Sequence, residues 1–283
     1  MLHKITAVSA ILVAGLIGGC GGGSGSSTPS ATTSSISGKV ADGYLVGATV
    51  FLDKNGNYQL DAGEPSATTD ANGGYTLNVD PADMGKYPIV AMATKGVTID
   101  KDTGATVTNS YVLSMSKDSI SGTVNSNFIS PMSSQLREMM ETGKYATVQL
   151  AMEDLRVKLG MPVGTNMLAD YMASNNTTMH TAAQNMASLM GGQMSQVMTT
   201  SGATTTIDVN RYRAMMGMIS SNMSSITGSN SQAAMTTLMS TMTTTLGNMP
   251  MMSVGQPYQN MSTAFRGGMM GGAPGAGTGG MMR

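Results

Sequence analysis

The position of the methionines constrains this 283-residue chain more than any other feature: 28 of the 31 follow residue 114. A chain so divided cannot be built on one repeating plan. Between residues 36 and 124 methionine is scarce, most of the acidic residues occur, and short β-rich runs alternate with clusters of Gly, Asn and Asp. The runs cover 37–40, 47–52, 75–79, 88–94, 107–114 and 120–124. In 47–52, Ala48, Val50 and Leu52 fall on one face and Thr49 and Phe51 on the other, the period-two pattern of a half-buried strand. Short strands at this spacing predict an antiparallel β-sandwich.

From residue 125 to 250 the pattern turns helical. Ser130 is placed to cap a helix over 132–142, with Pro131 at its first position and Gly143 at its end. Further helices are predicted over 146–159, stopped by Gly160, and over 167–173, 179–199, 209–227 and 231–246. Asp208 and Ser229 are the N-caps of the last two, and Gly247 is the final stop. Three apolar stripes recur at spacings of three and four: Met186, Leu189, Met190, Met194, Val197 and Met198; Val209, Tyr212, Met216, Ile219, Met223 and Ile226; Met235, Leu238, Met239, Met242 and Leu246. The opposite faces are Ser, Thr, Asn, Gln and Ala. The expected class is therefore α+β in two domains, an N-terminal antiparallel β-sandwich (36–124) and a C-terminal α-helical bundle (125–250), with a Gly/Met-rich tail over 251–283. Methionine is unbranched and polarizable, so such a bundle packs adaptably.

Composition excludes several chemistries. Net charge is −1 and 11% of residues are charged, so no nucleic-acid partner is implied. One cysteine permits no intramolecular disulfide, no Cys-based zinc or iron–sulfur site and no second thiol for redox work. Of two histidines only His180 lies beyond the N-terminus, and its sequence neighbours offer no partner. Glu153 and Asp154 share a helix with Arg156 and Lys158 and read as a solvated face. No catalytic residues are indicated, and the chain is not expected to be an enzyme.

The single cysteine, Cys20, closes an apolar run over 5–19 that follows His3 and Lys4, the layout of a secretory signal. Leu16-Ile17-Gly18-Gly19-Cys20 resembles a bacterial lipobox. The resemblance implies a signal peptide over 1–19, lipidation of Cys20, and a Gly/Ser tether over 20–35. Gly21 beside the anchor implies sorting to the outer membrane, facing periplasm or cell surface. The implied partners are the membrane itself, through the anchor, and other envelope or surface proteins.

The sharpest local motif is the twelve-residue stretch 53–64. Asp53, Asn55, Asn57, Gln59, Asp61 and Glu64 place oxygen donors at positions 1, 3, 5, 7, 9 and 12, with the contribution at position 7 also available from the backbone carbonyl. Calcium accepts such a set because it is hard and takes six to eight oxygens at varied angles. Tyr58 stands where a helical calcium loop carries glycine, and the stretch follows a predicted strand. Residues 41–79 resemble the calcium-binding B-type repeats of bacterial surface adhesins, the SdrD B-like domains. The match is carried by Asp53, Asn55, Asn57, Asp61, Gly63 and Glu64, then by Thr69, Asp70, Gly74 and Tyr75. It implies a β-sandwich with bound calcium and a structural or adhesive role. Residues 129–136 and 159–162, with Ala169-Asp170-Tyr171, resemble a helical segment that often follows such a domain in exported lipoproteins.

The alternative reading of the methionines is capture of Cu(I) or Ag(I), which thioethers select. The candidates are Met215, Met218, Met249, Met251 and Met252, with tail pairs at 269–270 and 281–282. A sink for oxidants is a third use of exposed methionine.

Overall fold

The computed structural model describes residues 33–120, 127–201, 204–228 and 231–251. Cys20 and the signal and tether around it, most of the strand expected over 120–124, Met252 and the tail pairs lie outside the described residues.

Ten strands come first: β1 (Ser34–Val40), β2 (Leu45–Val46), β3 (Thr49–Leu52), β4 (Ser66–Thr68), β5 (Gly74–Val79), β6 (Ile89–Ala93), β7 (Ile99–Asp100), β8 (Ala105–Thr106), β9 (Tyr111–Met115) and β10 (Asn127–Ile129). Then follow α1 (Pro131–Glu141), α2 (Val148–Lys158), α3 (Thr177–Val197), the hairpin β11 (Met198–Ser201) and β12 (Thr204–Ile207), α4 (Val209–Ser221), α5 (Met223–Thr227) and α6 (Ser231–Asn248). The chain is thus a mixed α and β protein.

The largest sheet has the order β4-β3-β6-β9 and is antiparallel throughout. All five residues of β9 are buried, as are Val50, Phe51 and Leu52 of β3. The expected two-faced alternation in 47–52 therefore fails at Phe51. Both sides of this sheet are covered: β9 lies against α1 and α3, and β3 and β4 meet β5. Strands buried on both faces read as nearly continuous apolar runs.

A second sheet, β10-β1-β5, corrects the expectation of wholly antiparallel pairing. β1 runs antiparallel to β5 but parallel to β10. The contact is close at one point, where a Cβ on Gly38 would stand 1.8 Å from the Asn127 carbonyl oxygen, so only glycine fits. Asn127 Nδ2 donates to the Ser37 carbonyl at 3.0 Å. The compositional break near residue 125 is therefore not a break in packing, because the strand just beyond it belongs to a sheet of the first half. Buried strand and helix residues form one continuous core, and the described residues from Thr33 onward group as one compact unit.

Helix α1 sits at the junction. Its residues Pro131–Met139 are all buried, polar ones included. Ser130 and Ser133 form a reciprocal capping box. Ser133 Oγ donates to the Ser114 carbonyl at 2.7 Å, and Ser134 Oγ accepts from the Ser114 N–H at 2.8 Å. Those two hydroxyls satisfy the N–H and C=O of Ser114 on the outer edge of β9. The Ser130-Pro131-Met132-Ser133-Ser134 run thus starts a helix and covers a sheet edge at once.

Helix boundaries elsewhere follow local chemistry. Thr147, Asn176 and Asp208 cap α2, α3 and α4 with side-chain oxygens. Gly143 and Gly160 take the positive φ that ends a helix. Three expectations need correction. Residues 167–173 form turns, held by Tyr171, whose hydroxyl donates to the Ala41 carbonyl at 2.9 Å and whose ring meets Phe128 edge-on. The helix expected to reach residue 199 stops at Val197, because a threonine-rich stretch favours the β11–β12 hairpin. The helix over 209–227 breaks at Asn222 into α4 and α5. The methionine stripes face inward: Met186, Met190, Met194, Met216, Met223 and Met242 are all buried. On α6, Thr236, Thr237, Thr241, Thr243 and Thr244 turn their hydroxyls back to carbonyls four residues earlier, which satisfies a neutral surface without charge. No described helix is long and apolar enough to cross a membrane.

Candidate functional site

The loop over 53–64 leaves β3 and returns at β4. Asp53, its first residue, is fully buried. Its Oδ1 accepts from the N–H groups of Gly56 and Asn57, at 2.9 and 3.1 Å. Its Oδ2 accepts from the Tyr58 N–H at 3.3 Å and from Arg137 Nη2 of α1 at 2.9 Å. Asp53 thus folds the loop around itself and ties it to a helix 84 residues away.

Tyr58 explains its own odd position. Its φ is 62°, the left-handed conformation that glycine normally supplies at this point of a calcium loop. The backbone turn is kept, and the side chain is driven inward. There it is wholly buried, with the Arg137 guanidinium 4.0 Å over its ring and the Tyr212 ring 4.5 Å away. Its hydroxyl donates to Glu138 Oε1. Burial and ring contacts worth roughly 2–3 kcal/mol offset a backbone cost of order 1–3 kcal/mol.

The charges at this joint form a chain. Arg137 Nε donates to Glu141 Oε1 at 2.9 Å, and Arg213 of α4 reaches both Glu141 and Glu138. Burial pushes the Glu138 carboxyl up to about 7, with the Glu141 charge adding and Arg137 opposing. Burial also raises the Tyr58 hydroxyl far beyond its ordinary range.

The outer part of the loop is polar and open. Asp61 Oδ2 accepts from Asn55 Nδ2 and Asn57 Nδ2, both at 2.7 Å. Glu64 Oε1 accepts from the Lys54 N–H at 2.7 Å and Oε2 from the Asp61 N–H at 3.0 Å. Burial lifts the Glu64 carboxyl, the two backbone N–H groups oppose, and the Asp53 and Asp61 charges add to the rise. Among the described residues no group of three or more His, Cys, Asp or Glu is arranged to hold a metal ion. The exposed part of this loop has two carboxylates, Asp61 and Glu64, and two amides, Asn55 and Asn57. Both amides meet at one Asp61 oxygen through their nitrogens, while their oxygens accept from backbone N–H groups of the same loop. That donor set fits a hard cation such as calcium, which takes amide oxygens as readily as carboxylates. Gln59 stands beyond, its N–H bonded to Asn57 Oδ1 at 2.8 Å.

The residues after the loop form a clip. Thr69 Oγ1 donates to the Leu45 carbonyl and accepts from the Ala48 N–H. Asp70 accepts from the N–H groups of Asn72 and Gly74, which hold its carboxyl below the usual carboxylate range. Tyr75 is buried, with its hydroxyl on the Asn127 carbonyl at 3.3 Å.

The thioether candidates are placed differently from one another. Met215, expected outside the core stripes, is fully buried, because α4 packs on more than one face. Met218 and Met249 are partly buried against the core. Met249 lends its carbonyl to Arg211 Nη2, and Met251 is exposed, its sulfur accepting from Thr199 Oγ1 at 3.4 Å. His180 does have a partner: its Nε2 lies 2.5 Å from Asp102 Oδ2, a pairing across 78 residues that local sequence could not reveal.

No protein-family model matches the chain, and no curated protein or solved structure matches it at a significant level.

Proposed function

We propose that this chain is a lipid-anchored structural or adhesive protein of the bacterial envelope, held to an outer membrane through Cys20, and that calcium stiffens its 53–64 loop. The observation that carries the reading is the joint built on that loop. One end, Asp53 and Tyr58, is locked into α1 through Arg137 and Glu138. The other end gathers Asn55, Asn57, Asp61 and Glu64 at the surface. In this reading Asn55, Asn57, Asp61 and Glu64 hold the cation, and Asp53 anchors the loop to the helix. Calcium supplies charge neutralisation where two carboxylates and a buried third lie close together. A binding or scaffolding protein gains from that, because stiffening the loop stiffens the contact between strands and helices. The strand half is then a sandwich-like module and the methionine-rich half a helical support that the module docks upon. Support for the envelope location comes from the 1–20 sequence pattern.

The test is a calorimetric titration of the protein with calcium, repeated on Asp61→Asn and Glu64→Gln. The reading expects one saturable site per chain, a rise in Tm with calcium through binding linkage, and loss of both in the double variant. Absence of calcium uptake by the folded wild-type protein contradicts it.

A further inference from the structure

A cleft of about 700 Å³ opens where β4, the edge of the four-stranded sheet, passes β5, the edge of the second sheet. Its walls carry Lys39, Tyr44, Thr68, Asp70, Thr76 and Lys101. Its volume lies within the range of about 300–1,000 Å³ common to small-ligand sites.

Asp70 is set in place by its own turn. Its Oδ1 is spent on the N–H groups of Asn72 and Gly74, at 2.7 and 2.9 Å, and the Asp70 N–H closes the turn on the Gly74 carbonyl at 2.8 Å. Its Oδ2 accepts no hydrogen bond from the described residues, and the residue is exposed, so that oxygen is open to a ligand. A Cβ at position 74 would stand 3.0 Å from Oδ2, so glycine there leaves the oxygen uncovered.

Tyr44 is held just as firmly. Its hydroxyl donates to Asp170 Oδ2 at 2.9 Å and accepts from Lys39 Nζ at 3.1 Å, and the same ammonium lies 4.4 Å from the ring centre. The Tyr44 carbonyl accepts from the Lys101 N–H at 3.0 Å, which ties the ring to the second lysine. Groups fixed in this way lose little freedom when a ligand arrives.

The charges around the cleft are balanced. Lys39 Nζ also lies 3.5 Å from Asp170 Oδ2. Lys101 Nζ donates to the Ala71 carbonyl at 3.1 Å and lies 3.5 Å from Asn72 Oδ1. Each ammonium has three hydrogens and so keeps one to give. The Asn72 and Gly74 N–H groups hold the Asp70 carboxyl low, and the Lys39 and Lys101 charges help. An anion entering the cleft meets Asp70, and a cation meets the two lysines. A neutral molecule dense in hydroxyls meets neither penalty, because each hydroxyl both gives and takes a hydrogen bond.

We infer that this cleft binds a neutral oligosaccharide, its hydroxyls donating to Asp70 Oδ2 and accepting from Lys101 and Lys39, with the Tyr44 ring and the Thr68 and Thr76 side chains as walls. Hydrogen bonds to ionised groups are the strong ones, and both signs are on offer within one site. The cleft is separate from the 53–64 loop, and sugar binding succeeds or fails whatever calcium does.

The test titrates the whole protein calorimetrically with maltotriose, cellotriose, mannotriose and chitotriose. Trigalacturonate serves as the anionic counterpart and the glucosamine trimer as the cationic one. Two variants accompany it. Asp70→Asn keeps an oxygen for the two turn N–H groups and turns the open acceptor into a donor. Lys101→Met removes the ammonium at an exposed position and keeps the stem. Saturable one-to-one binding of at least one neutral trisaccharide is expected, weakened at least about fivefold in each variant. If Asp70→Asn loosens the turn, Lys101→Met carries the result. The proposal is overturned if no neutral trisaccharide binds saturably, if a charged trimer binds more tightly than every neutral one, or if both folded variants bind as the wild type does.

Discussion

The loop-to-α1 joint and the methionine-rich helices solve the same problem, filling an interior, by opposite means. At the joint, Asp53, Arg137, Glu138 and Tyr58 are buried polar groups whose partners are fixed in direction. Around α3, α4 and α6 the interior is thioethers and aliphatics with few directional demands. The first kind of packing specifies one arrangement and is fragile to loss of any member. The second tolerates change and specifies less. The lesson is that Asp53, Arg137 and Glu138 place buried charge where the strands must be held to α1 in one register.

The comparison is broken most severely by Arg137→Ala. It strands the Asp53 carboxylate in the interior without its guanidinium, and a loss of about 3–5 kcal/mol in urea denaturation is expected. A loss below about 1 kcal/mol would place the joint among tolerant surfaces.

Next in size is the effect of pH. Glu138 keeps its proton in the folded protein up to about 7, whereas in the unfolded chain it loses it near 4.5. Between those values the folded state binds more protons, so stability falls as pH rises through the window, by roughly 3 kcal/mol at most. Asp42, raised from 3.8 to about 7, acts in the same direction. Melting curves between pH 4.5 and 7.5 should therefore slope downward. Glu138→Gln and Asp42→Asn should each remove part of the slope, and a wild-type slope of opposite sign would contradict the burial of both groups.

Tyr58→Phe keeps the ring and removes only the hydroxyl that meets Glu138, and should cost about 1–3 kcal/mol. At the tolerant end, Met190→Leu and Met216→Leu exchange fully buried side chains of similar volume and should each cost less than about 1.5 kcal/mol. Similar penalties for Arg137→Ala and Met190→Leu would erase the distinction.

Local patterns made much of this legible. Caps at Ser130 and Asp208, stops at Gly143 and Gly160, and the inward methionine stripes follow from residues within one or two helical turns. What the sequence could not disclose were pairings between distant positions. Nothing near Asp53 announces Arg137, nothing near His180 announces Asp102, and β10 is only three residues long, its pairing set by β1, a strand far away in sequence. Tyr58 could be read as a departure from a calcium loop, but its burial against Arg137 and Tyr212 depends on helices that come much later. Phe51 falls on the second face of its strand by local alternation, and its burial comes from covering of the sheet on both sides, which local pattern does not disclose.

Amide hydrogen exchange on the whole protein, with and without calcium, tests the central claim most directly. If the 53–64 loop couples a surface cation to the strand–helix joint, calcium slows exchange in residues 54–64 and in α1 together, leaving α6 unchanged. Unaltered exchange in both the loop and α1 at saturating calcium would contradict the account.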